Sequence, residues 1–356
     1  MSELQLPARS LHRGIRLWKL FGAVLVNLLA LALLVTYLFP MAYMVVTAIK
    51  ENAQFLVSGS PIWPARAIAF TYQGEAYAVY YVPTDQGVKQ WALVTPHRQA
   101  SEFVDPARPE AGLIQWTGNW RGLKRVFVPA WTLTNFVDLW KQIDFPHLLN
   151  NTLWIVGLSE LGVLISSVLV AYGFARFPVP AGKYLFILLI ATILLPGKVT
   201  LIPTYFLYMR VFHWGGTWIP LILPHLFGNA IFIFLLRQNF KSIPKDVEEA
   251  AMLDGAGPVR TLVSILLPQA FPTVITMGLL QFFFAWNETQ TAALYLGTSP
   301  DLFPLSFAVQ TYGGQFFAAP NLLQASALMA MTIPIVVLFF GQRFFMQSVL
   351  GTGLEK

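Results

Sequence analysis

LFGAVLVNLLALALLVTYLFPMAYMVV, residues Leu20–Val46, contains no Asp, Glu, Lys or Arg. About 20 predominantly apolar residues suffice for a helix to cross the hydrocarbon of a bilayer, and this run exceeds that length. Arg9, Arg13, Arg16 and Lys19 precede it, as in a signal peptide. The apolar part of a signal peptide is only about 7–15 residues long and is followed closely by a small-residue cleavage site. Neither feature is present, so the run reads as a retained first span.

Five further runs resemble it: Thr152–Ala175, Tyr184–Met209, Trp218–Leu236, Pro268–Ala285 and Leu323–Phe345. Of the 356 residues, 56% are hydrophobic and 11% charged, against about 25% charged in soluble domains. Backbone polar groups in lipid are satisfied only in helices or closed barrels, and long runs without alternation favour helices. The expected fold class is an all-α polytopic membrane protein of six transmembrane helices, with a small β-rich extracytoplasmic insertion between helices 1 and 2.

Short cytoplasmic loops carry an excess of Lys and Arg. With the N-terminus inside, one side holds Arg9 to Lys19, Arg176, Lys183, Arg237, Lys241, Lys245, Arg260 and Arg343, whereas the opposite short loops hold only Arg210. Both termini are expected in the cytoplasm. The expected domains are a cytoplasmic segment 1–19, a first helix 20–48, an outer insertion 49–150, a permease core 151–346 and a tail 347–356. Within the insertion, AIAFTY, YAVYYV, KQWALV and LIQWTG alternate or are aromatic, with turn signals at Gln73-Gly74 and Asp85-Gln86-Gly87. They predict an antiparallel module over about 61–128.

The core contains a polar cytoplasmic stretch, 241–262, that includes EEAAMLDGAG from Glu248. Pro244 suits a first helical turn, and Asp246, Glu248 and Glu249 complement the positive end of the helix dipole. Gly255 or Gly257 can end that helix in a left-handed conformation, and Pro258 suits the start of another. Val247, Ala250 and Ala251 share a face by helical spacing, where small side chains allow close approach of another surface.

Glu249-Ala250-Ala251, Gly255, Ile265, Leu267 and Pro268 match the EAA motif of ATP-binding-cassette importer permeases. WTLTNFVDLW, FPHLLNNTLWIV, AYGFARF, LLPGKVTLIPTYFLYMRVF, AWNE and the tail QRFFMQSVLGTGLEK extend the resemblance over about 131–356. The chain is similar to the second permease subunit of the carbohydrate-uptake, maltose-type branch. The resemblance implies a non-catalytic subunit in a bacterial inner membrane, with a homologous permease, two ATPase subunits and an extracytoplasmic substrate-binding protein as partners. It further implies a sugar, polyol or glycoside as substrate, and ATP and Mg held by the ATPases rather than by this chain. The segment would be a coupling helix: Glu249 contacts an ATPase arginine, Ala250 and Ala251 pack closely, Gly255 forms the turn, and Asp254 completes the ATPase-coupling set. The loop Tyr295–Asn321, with Gly313-Gly314 at a mobile tip, would face the binding protein.

Two further groups stand out. Glu160 and Lys198 lie within spans, where ionisable residues are costly and usually paired; a mutual pair and a place on the translocation path are both open readings. Gln281, Trp286 and Asn287 combine an aromatic face with polar groups that suit a sugar pathway, although Trp at a membrane interface is also the ordinary aromatic-belt position. An ion-gradient-driven secondary transporter is the alternative reading. The chain has no cysteine, its five histidines lack metal-ligand spacing, and it contains no phosphate-binding GxxxxGK[ST] loop or hydrolase motif.

Overall fold

A computed structural model of the protein describes the backbone of residues 8–315 and 319–351. It describes the side chains of 19–344 apart from Lys198, Tyr312 and 315–318. The chain divides into two compact units: one runs as far as Asn135 and includes Ala319–Ala325, the other comprises Phe136–Ala318 and the chain from Ser326 onward.

The first unit begins with α1 (Ala8–Ala48), most of whose described apolar side chains, from Leu20 onward, are exposed. A short α2 (Asn52–Phe55) follows. The strands are β1 (Ala65–Ala67), β2 (Ala69–Tyr72), β3 (Glu75–Thr84), β4 (Gly87–Thr95), β5 (Ala100–Val104), β6 (Ile114–Thr117), β7 (Lys124–Arg125) and β8 (Phe127–Pro129). β2 to β6 pair in sequence order as an antiparallel meander; β7 pairs with β3, and β1 pairs with β8. The β2–β3 turn is Gln73-Gly74, with φ of 52° and 89°. Two central residues at positive φ match the right-handed twist of the strands they join.

Each face of the sheet buries a small cluster: Val79, Ala92, Val104 and Val126 on one side, Val82, Trp91, Leu93 and Phe103 on the other. The insertion expected from alternation is therefore present, and it gains β5 and the short β1, β7 and β8 that alternation did not mark. A polar node completes the unit. Asn135 donates to the carbonyls of Ala48 (2.7 Å) and Lys50 (2.8 Å), and accepts from Asn321 (2.9 Å). It thereby ties the end of α1 to the starts of α3 (Thr134–Gln142) and α14 (Pro320–Gly351).

Among its described residues the second unit has helices joined by turns and no strand. It contains α4 (Phe145–Arg176), α5 (Gly182–Ile193), α6 (Gly197–Phe206), α7 (Ile219–Ile222), α8 (Ala230–Ser242), α9 (Lys245–Leu253), α10 (Pro258–Thr261), α11 (Leu267–Trp286), α12 (Gln290–Leu296) and α13 (Leu305–Gln315), with most of α14. Its core lies between α4, α8 and α11, where Val163, Ala171, Phe232, Leu236, Phe240, Leu266 and Met277 are buried together. The FPHLLNNTLWIV stretch begins α4 with Pro146 in its first turn, and its polar side chains take up a neighbouring loop. Asn151 donates to the carbonyls of Asp301 (2.8 Å) and Phe303 (3.1 Å), and Thr152 Oγ1 accepts from the Leu305 amide (2.7 Å).

Among the described residues, five helical stretches are long and apolar enough to cross a membrane: Lys19–Ala48, Phe145–Arg176, Ile219–Ser242, Pro258–Trp286 and Pro320–Phe344. The run expected as a third span is instead broken into α5 and α6. Pro196 is the reason, since proline lacks an amide and restricts the residue before it. Ile219–Ser242 is interrupted as well. After α7 a 3-10 turn, Leu223–Phe227, leads to Gly228 at φ 81°, and Asn229 caps α8 by accepting from Ile231 (2.9 Å) and Phe232 (3.4 Å).

The segment expected as one outer loop, Tyr295–Asn321, is also largely helical. Leu305 and Ala308 are buried, one turn apart, and fold α13 onto its unit. Gly313 and Gly314 consequently sit in the last turn of α13, not at a loop tip. The expected tail, 347–356, continues α14 as far as Gly351; residues 352–356 and 1–7 lie outside the described residues.

Candidate functional site

Polar segment 243–258 is the best-defined construction in the second unit. α8 ends at Ser242, and Pro244 occupies the cap position just before α9 rather than its first turn. α9 closes in a Schellman motif: the Gly255 amide donates to Met252 (3.0 Å) and the Ala256 amide to Ala251 (2.9 Å). Gly255 is the residue that takes positive φ, 80°, whereas Gly257 has φ −76° and caps α10. The chain then runs through α10 and a π-helical turn, Leu262–Leu266, into α11. The segment is thus one short helix and a tight reversal.

A buried ion pair fixes this helix to its unit. Arg176, the last residue of α4, pairs through Nε with Glu248, and each side chain is only 7% exposed. Arg176 Nη2 also donates to the carbonyl of Ile243 (2.9 Å), just before α9, and Tyr172 Oη donates to that of Pro258 (3.1 Å), just after it. α4 therefore grips the segment at its start, its middle and its end. Composition did not reveal this: Arg176 reads as an inside-loop charge and Glu248 as a helix-dipole partner, and nothing in their spacing links them.

The grip decides which face is open. Ala251 is buried beneath the helix, so it does not share an outer face with Val247 and Ala250 as helical spacing alone suggested. Glu249, Ala250, Asp254 and Gly255 are exposed. So are Val247 and two larger apolar side chains, Met252 at 57% and Leu253 at 90%. An acidic side chain and a hydrophobic edge displayed together on a rigid helix suit a partner surface.

The other expected residues do not form one site. Trp286 is 2% exposed, and its Nε1 donates to the carbonyl of Ala330 (3.2 Å), bracing α11 against α14. This packing overrides the belt and pathway readings of that residue within the chain. Asn287 is exposed and donates to the carbonyl of Phe283 (2.9 Å), while Glu288 accepts from the Thr291 amide (2.8 Å) at the start of α12. Gln281 is buried and its Nε2 lies 3.2 Å from His225 Nδ1. Nearby, Ser159, His225 and Glu288 help line a small pocket of about 20 Å³, room for about one water molecule. Glu160 packs against Gly278, where an added Cβ would come 2.9 Å from Oε1. Its expected partner's side chain, that of Lys198, lies outside the described residues. Among the described residues no group of His, Cys, Asp and Glu could hold a metal.

A family model described as the inner membrane component of binding-protein-dependent transport systems matches residues 162–351. The chain is 33% identical over 228 residues to a probable ABC transporter permease protein of Pyrococcus horikoshii, a match covering 63% of this chain and 82% of the relative. It is 29% identical over 234 residues to the melibiose/raffinose/stachyose import permease protein MelC of Bacillus subtilis, covering 65% and 84%. Among solved structures, a bacterial ABC transporter involved in the import of the acidic polysaccharide alginate contains a chain that aligns with a TM-score of 0.64 at 19% identity. That alignment covers 94% of this chain and 98% of the other, a likeness of fold.

Proposed function

The chain belongs to the family of inner membrane components of binding-protein-dependent transport systems, and from that premise we propose that it is a permease subunit of an ATP-driven importer for a sugar, polyol or glycoside. It forms half of the pathway with a homologous permease, receives substrate from an extracytoplasmic binding protein, and is driven by two separate ATPase subunits. α5 and α6 together make the third of six spans. Both termini and α9 lie in the cytoplasm, and the β-module lies outside.

The observation that carries this reading is the presentation of α9. A helix meant to transmit force must be stiffly joined to its own bundle and open to another protein. The buried Arg176–Glu248 pair supplies the first condition; exposed Glu249, Ala250, Met252 and Leu253 supply the second. Glu249 makes the charged contact with the ATPase, and closure of the two ATPases moves α9 and thereby α4 and α11. The sugar class draws support from the likeness to the melibiose/raffinose/stachyose import permease of Bacillus subtilis. The gradient-driven alternative has no support in the comparisons.

Glu249→Lys tests the reading in reconstituted importer. Uptake should fall to background while membrane insertion and chain abundance stay normal. Wild-type uptake in this variant, or uptake abolished by collapsing ion gradients with ATP present, would refute it.

A further inference from the structure

The β-module carries a groove that the transport reading does not use. It has a volume of about 1120 Å³ and lies between the Leu56–Trp63 connector and strands β3 and β7. Small-ligand pockets measure about 300–1,000 Å³, so this one is long enough for a ligand of several linked rings. Trp63, Tyr81 and Trp120 present aromatic surface to it, and Arg121, Lys124 and Arg125 line the same groove. No Asp or Glu is among its lining residues. None of the three cations has a salt-bridge partner among the described residues, and the buried Nε of Arg125 has no hydrogen-bond acceptor there.

The groove is built rather than incidental. Its connector wall is held by the buried Gln54 side chain, which donates to the carbonyls of Pro61 (2.9 Å) and Trp63 (2.8 Å) and accepts from the Ala65 amide (2.9 Å). The opposite wall is pinned by strand register, with Tyr81 directly across from Lys124 and Tyr80 across from Arg125. Tyr80 and Trp120 meet edge to face at 6.3 Å. Rigid walls lower the ordering cost of binding.

The geometry points to a binding site for an anionic saccharide, a short oligosaccharide bearing carboxylate or sulfate groups. The flat C–H faces of sugar rings stack on aromatic side chains, and guanidinium groups recognise carboxylate and sulfate through directed hydrogen bonds. Neither a neutral sugar nor a purely apolar ligand accounts for three cations without internal counter-charge. An anionic membrane surface would meet the charges, but it is planar and has no need of a braced concave wall.

The test uses the full chain in nanodiscs of phosphatidylcholine, titrated calorimetrically with trigalacturonate and, separately, with maltotriose. Trigalacturonate should bind, weaken with added salt and not be displaced by maltotriose. Arg121→Gln combined with Lys124→Gln, both exposed positions, should weaken binding by about tenfold or more, since hydrogen bonds to charged groups are each worth at least that much. Lys124→Arg should keep binding, which guards against a folding defect in the double variant. Absence of binding, equal affinity for maltotriose, or binding of phosphatidylglycerol-containing vesicles without binding of trigalacturonate would each overturn the proposal.

Discussion

Breaking the Arg176–Glu248 pair measures how firmly α9 is fastened. Arg176→Met leaves Glu248 buried without a counter-charge and removes the bond to the Ile243 carbonyl. Removing one partner of a buried ion pair leaves the other charge uncompensated in a poor dielectric, which costs about 3–5 kcal/mol. We therefore expect Arg176→Met to lower the opening free energy of residues 245–253 by about 4 kcal/mol near pH 7.

Glu248→Leu should cost less, because the long Arg176 side chain keeps the Ile243 carbonyl and can extend its head toward water. The double replacement should recover most of the loss, with a coupling of about 2 kcal/mol or more. Hydrogen exchange of α9 amides in the nanodisc-embedded chain reads each value. A coupling below about 0.5 kcal/mol, within the scatter of independent sites, would refute the account of the grip.

Three other outcomes follow from described geometry. Gly255→Ala should destabilise the α9 turn by about 1–2 kcal/mol because Gly255 is at φ 80°, whereas Gly257→Ala, at φ −76°, should be nearly neutral; exchange of the Ala256 amide separates them. Asn135→Ala removes two donated bonds and one accepted bond from a buried node and should lower the thermal stability of the first unit by about 1–3 kcal/mol, read as earlier exchange of the Thr132 and Lys50 amides. The Arg66 guanidinium holds the Glu51 carboxyl below its usual range. Its small contribution is therefore present above the ordinary carboxylate pKa and lost as pH falls through the depressed value. Arg66→Gln should move the carbon-NMR titration midpoint of Glu51 up into the ordinary range, and an unmoved midpoint would remove Arg66 as the cause.

Elements governed by local physics were legible in the sequence. Leu20–Val46 carries no charged residue and became the helix it implied; Gln73-Gly74 and the runs beside it became a hairpin. The reversal after EEAAMLD was legible too, because glycine answers directly to backbone sterics. Features set by partners far along the chain were not. Two adjacent glutamates, Glu248 and Glu249, are alike in composition, yet Arg176 takes the first inward and leaves the second outward. Ala251 and Ala250 differ for the same reason. Trp286 looked like an interfacial or pathway residue until the Ala330 carbonyl claimed its indole. Pro196 carried a warning in the sequence itself, but hydropathy averaged over Tyr184–Met209 drowned it.

The interruption at Gly228-Asn229 also bears on how the protein is made. A continuous helix can enter a bilayer as a finished object, because every amide finds its carbonyl within the same segment. The stretch Ile219–Ser242 cannot, for the Asn229 amide is answered by the Ser167 hydroxyl at 3.1 Å, on another helix. Ser167 lies earlier in the chain and so emerges from the ribosome first. The order of synthesis thus delivers α4 as a template, and the later, broken segment matures only by docking onto a neighbour already waiting in the membrane.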